Sequence, residues 1–280
     1  MQKIDSKILA KKFSILISDV EIICSHFLGI SKERFISKNF EIDKKSFLKL
    51  SKLLQKKSQK IPTAYILQKK EFFGKTFFVS HHTLIPRPET EKLIEIFLEK
   101  IEKLALNSDL HLSKNIKIFD IGTGSGNIAI TLKKFLLNSC IFAIDKNKFA
   151  LKIAKKNAKL HNAKINFFRS NLLKNKKLQK ISPDFIIANL PYVPKKSYFS
   201  LEKNIYFEPK DAIVAGKSGL KFIKKLLDQI KKFGFDKNLK GIFLEIDPSQ
   251  SEFLQKLGFE ILNFYEESGR FAVKNFIEIA

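Results

Sequence analysis

The chain has 280 residues, of which 44% are hydrophobic and 28 are Phe, so it can form the core of one large domain or two modest ones. No apolar run approaches the roughly 18 residues of a membrane-spanning helix, and the mixed acidic and basic start does not resemble a signal peptide, so a cytoplasmic protein is expected. Two cysteines, Cys24 and Cys140, lie far apart without metal-ligand spacing, which favours reduced thiols.

The net charge of +24 has two interpretations. A strongly basic surface attracts nucleic acids and other anionic partners. However, only four of the 52 basic residues are Arg, and Lys, Ile, Phe and Asn are all abundant, which is also what an A+T-rich genome produces whatever the function. Residues 1–84 contain 17 basic and 7 acidic residues, against 35 and 21 in 85–280, and this denser positive charge suits a recognition module at the N-terminus.

Residues 1–70 have the pattern of amphipathic helices and predict a small helical domain. In the first 28 residues apolar side chains recur at helical spacing, and Gly29 is a stop signal after which Ser31 can cap a new helix. The segment 42–59 then places apolar residues on one face and Lys on the other.

Residues 71–84 predict a β-hairpin linker, because aromatic and β-branched residues flank a Gly-Lys pair. The segment Leu-Ile-Pro-Arg-Pro-Glu-Thr-Glu (84–91) follows, and its two prolines hold the backbone extended. A helix is therefore expected to begin only after the second proline, near Glu89 or Thr90.

From residue 116 onward, strand-like and helix-like segments alternate. Repeated β–α units of this kind predict a doubly wound, mainly parallel sheet. The last two strands are separated by the short segment Glu-Glu-Ser-Gly-Arg, so the final strand is expected to be antiparallel. The sequence thus predicts an α/β catalytic domain over 85–280 with a Rossmann-like, seven-stranded sheet.

A glycine-rich segment, FDIGTGSGNIAI (119–130), joins the first of these strands to its helix. The strand is expected to end at Asp120, and the glycines form a tight turn that lets a ligand approach the backbone. The spacing Gly-x-Gly-x-Gly differs from the dinucleotide fingerprint and lacks the Lys-Ser/Thr of a phosphate loop. It resembles the first motif of S-adenosylmethionine-dependent methyltransferases. The predicted cofactor contacts are Asp120, Gly122, Thr123, Gly124, Ser125 and Gly126.

Two later strand ends extend this predicted cofactor site. The next strand ends at Asp145, whose carboxylate can accept both ribose hydroxyls of an adenosine group, or can cap the helix that follows. Asn171 stands where this enzyme class usually has an Asp near the adenine, and its amide oxygen can still accept from the exocyclic amine. Leu172 would border the adenine ring.

Ala-Asn-Leu-Pro-Tyr (188–192) follows a fourth parallel strand, at the end where open α/β sheets bind ligands. It is similar to [N/D/S]-P-P-[Y/F], the motif of methyltransferases that modify planar nitrogens, which are poor nucleophiles because their lone pair is delocalised. The side-chain oxygen of Asn189 and the carbonyl of Leu190 can each accept one N–H and hold such a nitrogen in line with a sulfonium methyl. Pro191 stiffens the turn, and Tyr192 offers a flat face for the planar group.

The chain resembles bacterial peptide chain release factor glutamine methyltransferases over nearly its whole length. The segments that carry this resemblance are 62–95, with its IPRPETE, then 207–227, LEIDPSQ and ESGRFAV. The resemblance implies that the substrate is the glutamine of a Gly-Gly-Gln loop in peptide chain release factors 1 and 2. It also implies S-adenosyl-L-methionine as the methyl donor, S-adenosyl-L-homocysteine as the product, and a monomer whose helical domain helps hold the release factor.

One departure leaves alternatives open. Leu190 replaces the usual first proline, and Asn-Leu-Pro-Tyr is familiar from ribosomal RNA adenine dimethyltransferases. Methylation of adenine N6 in RNA or DNA is therefore the alternative function, and the positive charge gives it some support. Against it stand IPRPETE and the long helical region before the catalytic domain. A non-catalytic binding module with a methyltransferase fold is a third alternative.

Four charged or titratable residues lie in or near the linker. Arg87 and Glu89 could contact substrate at the mouth of the active site, pair with each other, or cap the helix that follows. His81-His82 has no ligand partners nearby in the sequence, so no metal site is expected.

Overall fold

The computed structural model describes residues 1–106, 115–263 and 270–275. The chain divides into two compact units. The first comprises Met1–Lys70 and the short segment Glu202–Phe207, and the second comprises the rest of the described chain. No helix within those described ranges is long and apolar enough to cross a bilayer.

The first unit consists of short helices with a small antiparallel ribbon. Its elements are β1 (Gln2–Ile4), α1 (Ser6–Phe13), α2 (Ile17–Leu28), α3 (Lys32–Ser37), β2 (Phe40–Ile42), α4 (Lys44–Ser58) and α5 (Thr63–Leu67). As predicted, Gly29 ends α2 in a left-handed conformation, and the Ser31 hydroxyl caps α3 by accepting from the Arg34 N–H. The purely helical prediction is wrong for β1 and β2, because strands of three residues are too short to give a visible alternation.

The core of the first unit is centred on side chains from α2 and α4, with further buried side chains from β1, α1, α3 and α5. Val20, Ile23, Leu50 and Leu54 are fully buried. Cys24 is buried among them, and burial raises the pKa of its thiol to about 12. The thiol therefore stays protonated and packs as a small apolar side chain.

A hairpin leads into the second unit, as predicted. Strands β3 (Lys69–Phe72) and β4 (Lys75–Phe78) form a two-stranded sheet, joined by Phe73 and Gly74 at positive φ. Helix α6 (Pro88–Leu106) then begins at the second proline, slightly earlier than expected. A proline is tolerated there because the first turn of a helix needs no N–H from it.

The second unit contains the predicted seven-stranded sheet, with helices between its strands. The elements after α6 are β5 (Lys117–Ile121), α7 (Asn127–Phe135), β6 (Cys140–Asp145), α8 (Lys148–Leu160), β7 (Asn166–Arg169), β8 (Phe185–Ala188), α9 (Lys221–Lys232), β9 (Gly241–Ile246), α10 (Ser251–Gln255), β10 (Glu260–Asn263) and β11 (Arg270–Asn275). The strand order is β10-β11-β9-β8-β5-β6-β7. Strands β5 to β9 pair in parallel, and β11 is antiparallel to both β9 and β10, which confirms the predicted last strand. The residues between β10 and β11 lie outside the described ranges.

The sheet has a hydrophobic core on each face. Successive strand residues such as Ile118 and Phe119 belong to different core clusters, because side chains alternate between faces along a strand. Helices α6 and α7 cover one face, and α9 covers the other. With both faces covered, polar ligands bind at the carboxyl ends of the strands. Strand β5 is the switch point of the strand order, since β6 lies on one side of it and β8 on the other.

Candidate active site

A cavity opens at the carboxyl ends of β5, β6, β7 and β8, lined by the glycine loop, the following strand ends and the segment before α6. The predicted site residues that line it are Arg87, Gly122, Thr123, Gly124, Ser125, Asp145, Asn171, Leu172, Asn189, Leu190 and Pro191. The other four, Asp120, Gly126, Tyr192 and Glu89, lie outside its lining. The structure thus brings together most of the residues that the sequence predicts.

Asp120 holds the glycine loop through hydrogen bonds. This carboxylate is fully buried, and its Oδ2 accepts from Thr123 Oγ1 at 2.6 Å and from the Ala129 N–H at 3.1 Å. Gly122 has a φ of +81°, and a Cβ there would lie 3.2 Å from Leu190 Cδ2. A side chain at that position would strain the backbone and meet Leu190, so the loop needs glycine.

Asp145 ties the glycine loop to the end of β6. Its Oδ2 accepts from the Gly124 N–H at 3.0 Å, and its Oδ1 accepts from the Asn147 N–H at 2.8 Å. The cap of α8 is Asn147, whose Oδ1 accepts from the Phe149 N–H, so Asp145 is not the capping residue. Burial raises the pKa of Asp145, and the two backbone hydrogen bonds oppose that rise.

Leu172 lies at the cavity in an unusual backbone conformation. Its φ is +56°, which is rare for a residue other than glycine. The neighbouring Leu173 N–H donates to Oε1 of buried Gln229 at 2.8 Å, which holds the backbone there. Strained backbone conformations like that of Leu172 persist where surrounding contacts enforce them, and they cluster at ligand sites. The side-chain oxygen of the preceding residue, Asn171, accepts from Lys225 Nζ at 3.3 Å.

The side-chain amide of Asn189 is held by two neighbours. Its Nδ2 donates to Thr90 Oγ1 and to Glu245 Oε2, both at 2.9 Å. Thr90 Oγ1 in turn donates to the same Glu245 oxygen at 2.7 Å. Both hydrogens of the amide are therefore used within the protein. Asn189 Oδ1 accepts no hydrogen bond from the described residues, and it remains free to accept from a ligand in the cavity.

The side chain and the backbone carbonyl of Tyr192 form hydrogen bonds with two different residues. The hydroxyl donates to Oε1 of Glu245 at 3.1 Å, and the carbonyl oxygen accepts from Gln250 Nε2 at 3.1 Å. Gln250 is fully buried, and its own Oε1 accepts from the Asp247 N–H. The segment after β9 thus supports the turn that follows Asn189.

Leu190 places its side chain in the protein interior. It is only 4% exposed and belongs to the core cluster on the α9 face of the sheet. The same side chain lies over the glycine loop, as the contact with Gly122 shows. Where the motif usually has a proline, this chain therefore has a buried leucine that packs on the glycine loop.

Arg87 pairs with a residue far away in the sequence. Its guanidinium donates to Oε1 of Glu208, and Oε2 of Glu208 accepts from the Ile85 N–H at 2.9 Å. Glu208 is 5% exposed, so this pair joins the segment before α6 to the chain that precedes α9. Among the alternatives for Arg87, a salt bridge to Glu89 is not formed.

Glu245 and Tyr192 have pKa values shifted by their surroundings. Burial raises the pKa of Glu245 to about 7, and the charge of Glu89 adds to the rise, while hydrogen bonds from Thr90, Tyr192 and Asn189 oppose it. Burial and the charge of Glu245 raise the pKa of Tyr192 well above its usual value. The tyrosine therefore keeps its proton, which it donates in a hydrogen bond to Glu245.

Several residues that support the site are not predicted from the sequence. They are Thr90, Glu208, Glu245, Gln229 and Gln250. Glu245 left a detectable signal, since it is a charge inside the apolar strand Gly241–Ile246, where every residue is buried. The others gave none, because a single Thr, Glu or Gln at the surface and at a site look alike in sequence.

Comparisons with known proteins bear on the fold and on the family of this chain. Residues 97–213 match the family model of the methyltransferase small domain. The catalytic domain of human METTL16, solved in complex with a MAT2A 3′UTR hairpin, superposes with a TM-score of 0.56 over 81% of this chain and 83% of that one, at 16% identity. That identity shows a shared fold alone. The fold and the family model together define a methyltransferase of the Rossmann-like class.

Two curated relatives identify the family within that class. The release factor glutamine methyltransferase of Buchnera aphidicola subsp. Schizaphis graminum is 34% identical over 92% of this chain and 86% of the relative. The enzyme of the same name from Thermodesulfovibrio yellowstonii is 33% identical over 92% and 91%. The chain belongs to the release factor glutamine methyltransferases. These matches cover 92% of this chain, so they extend into the first unit.

Proposed function

We propose that this protein transfers a methyl group from S-adenosyl-L-methionine to the side-chain amide nitrogen of the glutamine in the Gly-Gly-Gln loop of peptide chain release factors 1 and 2. S-adenosyl-L-homocysteine is the product, and the protein acts as a monomer in the cytoplasm. Family membership supports the reaction and the protein substrate. The single observation that carries the mechanism is the fixed carboxamide of Asn189, with both hydrogens engaged and its oxygen available.

The cavity fits a sulfonium nucleoside as the methyl donor. Gly122 keeps the loop open to close approach, since it has no Cβ. Asp145 has lone pairs left for ribose hydroxyls after its two backbone bonds, and Leu172 supplies an apolar border for a purine. When bound, S-adenosyl-L-methionine supplies an electrophilic methyl group. Asp120 and Gly126 contribute by shaping the loop.

The chain's own groups can make a glutamine amide reactive. Asn189 Oδ1 and the Leu190 carbonyl each accept one N–H, which orients the nitrogen and favours its pyramidal form over the delocalised one. The proton on nitrogen becomes acidic only after methylation, so no strong base is needed beforehand. Pro191 stiffens the turn, and Tyr192, tied by its hydroxyl and its carbonyl, supports the backbone beside the amide.

The first unit is the proposed recognition module for the release factor. Residues 1–70 contain 16 basic and 6 acidic residues, and this excess of ten positive charges favours approach of an acidic protein surface. Arg87 and Glu89 are proposed to contact substrate at the mouth of the cavity, where Arg87 lines the wall. The alternative, methylation of adenine in RNA or DNA, is not favoured, because the relatives that match over 92% of the chain are release factor glutamine methyltransferases.

A competition experiment tests this proposal. The purified protein is incubated with donor carrying a labelled methyl group, a release factor and ribosomal RNA, and label is measured in each. We expect label in the release factor and none above background in RNA. A release factor variant whose loop glutamine is replaced by glutamate is the control and should stay unlabelled. Label that appears mainly in RNA would overturn the proposal.

A further inference from the structure

Glu245 is a buried carboxylate whose partners all belong to the wall of the candidate active site. It is 3% exposed, next to the last residue of the fully buried strand β9, and a charge in such a place is costly unless donors surround it. Thr90 and Asn189 donate to its Oε2, and Tyr192 donates to its Oε1. These three neutral donors come from α6 and from the segment after β8, and they converge on one acceptor.

This arrangement selects one orientation of the Asn189 side chain. A carboxamide has two orientations of nearly equal shape, related by a half-turn that exchanges oxygen and nitrogen. In the observed one, Nδ2 donates to Glu245 and to Thr90. The opposite one would place Oδ1 against the carboxylate, acceptor against acceptor, and would turn the nitrogen toward the cavity. An amide nitrogen there could not accept an N–H from a substrate.

We propose that Glu245 is a positioning residue for methyl transfer: it holds Asn189, directly and through Thr90, so that the amide oxygen faces the substrate, and it fixes the ring of Tyr192. Glu245 does not line the cavity, so it acts only through these neighbours. The inference rests on the proposed function, because it assigns Glu245 a role in presenting an acceptor to a planar nitrogen. It predicts a loss of turnover without a matching loss of binding.

The protonation state of Glu245 gives this role a pH dependence. Its pKa is raised to about 7, the charged groups near the cluster are Glu89 and Arg87, and the titratable hydroxyl facing it is Tyr192. A protonated carboxyl carries its own hydrogen, so one of the three donors would lose its acceptor. Turnover should therefore fall as the pH drops below about 7. Asp120 titrates in the same range, so a variant must assign the effect.

The kinetic test uses Glu245→Gln, in which the new amide presents hydrogens to groups that are themselves donors. We expect kcat to fall by about tenfold or more, with the KM for release factor and the Kd for the methyl donor within about threefold of wild type. The decline of kcat below pH 7 should disappear. Thr90→Val, which removes the hydroxyl, should lower kcat in the same way. Glu252→Gln removes an equal charge from an exposed helix position and should leave kcat unchanged.

A second measurement does not depend on activity. Nuclear magnetic resonance of the ligand-free protein can follow the side-chain NH₂ group of Asn189, assigned by comparison with Asn189→Ala. Its hydrogens should exchange with water at least about tenfold faster in Glu245→Gln than in wild type, because their acceptor is lost. If wild type leaves release factors unmethylated while this difference is seen, the proposed function fails and the positioning role stands. An unchanged exchange rate with an unchanged kcat, or a parallel loss of kcat, donor affinity and folding stability, would overturn the inference.

Discussion

A Cβ atom on Gly219 would lie 2.2 Å from the carbonyl oxygen of Tyr192, which is closer than non-bonded atoms can approach. The same atom would lie 2.6 Å from Gln250 Nε2, the group that donates to that carbonyl. The turn before α9 therefore presses directly against the backbone of the proposed acceptor site. A substitution there tests whether the position of this backbone controls the reaction.

Gly219→Ala should destabilise the protein and slow methyl transfer. The added carbon must displace backbone at Tyr192, and the new alanine must adopt a φ of +75°. We therefore expect the free energy of unfolding to fall by about 2–4 kcal/mol. Urea denaturation measures this free energy. The kcat should also fall, because the backbone at Tyr192 is displaced. Gly234→Ala is the matched control, because its φ is +70° with nothing within 4 Å, and it should cost only about 1–2 kcal/mol. Equal losses in the two variants would show that the contact with Tyr192 is unimportant.

Asn189→Ala should remove nearly all methylation while donor binding survives. The variant removes the oxygen that accepts a substrate N–H, and loss of one such preorganised group typically lowers kcat by about 10²–10³-fold. The Kd of the donor, measured by calorimetry, should stay within a few-fold of wild type, since the glycine loop and Asp145 are unchanged. A variant with nearly full turnover would contradict the proposed mechanism.

Asn157→Ala should weaken donor binding from outside the cavity. Asn157 Oδ1 accepts from the Phe78 N–H at 2.7 Å, and its Nδ2 donates to the carbonyls of Phe78 and Ser125 at 2.9 and 2.8 Å. It thus fastens hairpin β3–β4 to the glycine loop. Buried groups left without partners cost about 1–3 kcal/mol each, so the loop should loosen and the donor Kd rise by about tenfold.

The control for that prediction is Asn166→Ala. Its side chain makes a single long bond of 3.3 Å to the Ile141 carbonyl, away from the loop. Calorimetric titration of the donor into this variant should give the wild-type Kd. If Asn157→Ala also binds the donor as tightly as wild type, the glycine loop holds its shape without the clamp.

Leu190→Pro should keep most of the activity. The substitution restores the usual motif and preserves the backbone carbonyl that accepts from substrate, while it stiffens the turn. It also removes a side chain that is 4% exposed, and so should cost stability, as Leu190→Ala should by about 2–5 kcal/mol. Initial rates of release factor methylation and thermal denaturation measure the two effects. A rate more than about tenfold below wild type for the proline variant would show that the leucine side chain itself serves the reaction.

Stability should decrease as the pH rises through the range in which Asp120 titrates. Burial raises its pKa from 3.8 to about 7, against hydrogen bonds from Thr123 and Ala129. The stability that Asp120 contributes through this raised pKa is fully present below pH 4, where the folded and unfolded states both bind the proton. This stability is lost as the pH rises to about 7. The free energy of unfolding, measured between pH 4.5 and 8, should fall less steeply in Asp120→Asn. Identical slopes for the variant and wild type would show that the carboxyl titrates normally.

Local patterns in the sequence predicted most of the second unit. The β–α alternation, the antiparallel last strand, the hairpin and the grouping of the glycine loop with Asp145 and Asn189 all follow from features a few residues apart. The ribbon β1–β2 was missed because its strands are three residues long and pair across α1, α2 and α3. Thr90 was missed because its partner Glu245 lies 155 residues further along the chain, so no local pattern joins the two.

By itself, the sequence determined the class of chemistry: the glycine loop, the strand-end carboxylate and the Asn-Leu-Pro-Tyr segment are each contiguous, and each carries its meaning in residue type and spacing. Only the tertiary structure decided how these parts are held. Which way the Asn189 amide faces, where the Leu190 side chain packs and which residue pairs with Arg87 depend on groups that folding brings together from distant parts of the chain. Hydrogen bonds and close packing act over a few ångströms in space, and the order of the residues does not state which distant groups come that close.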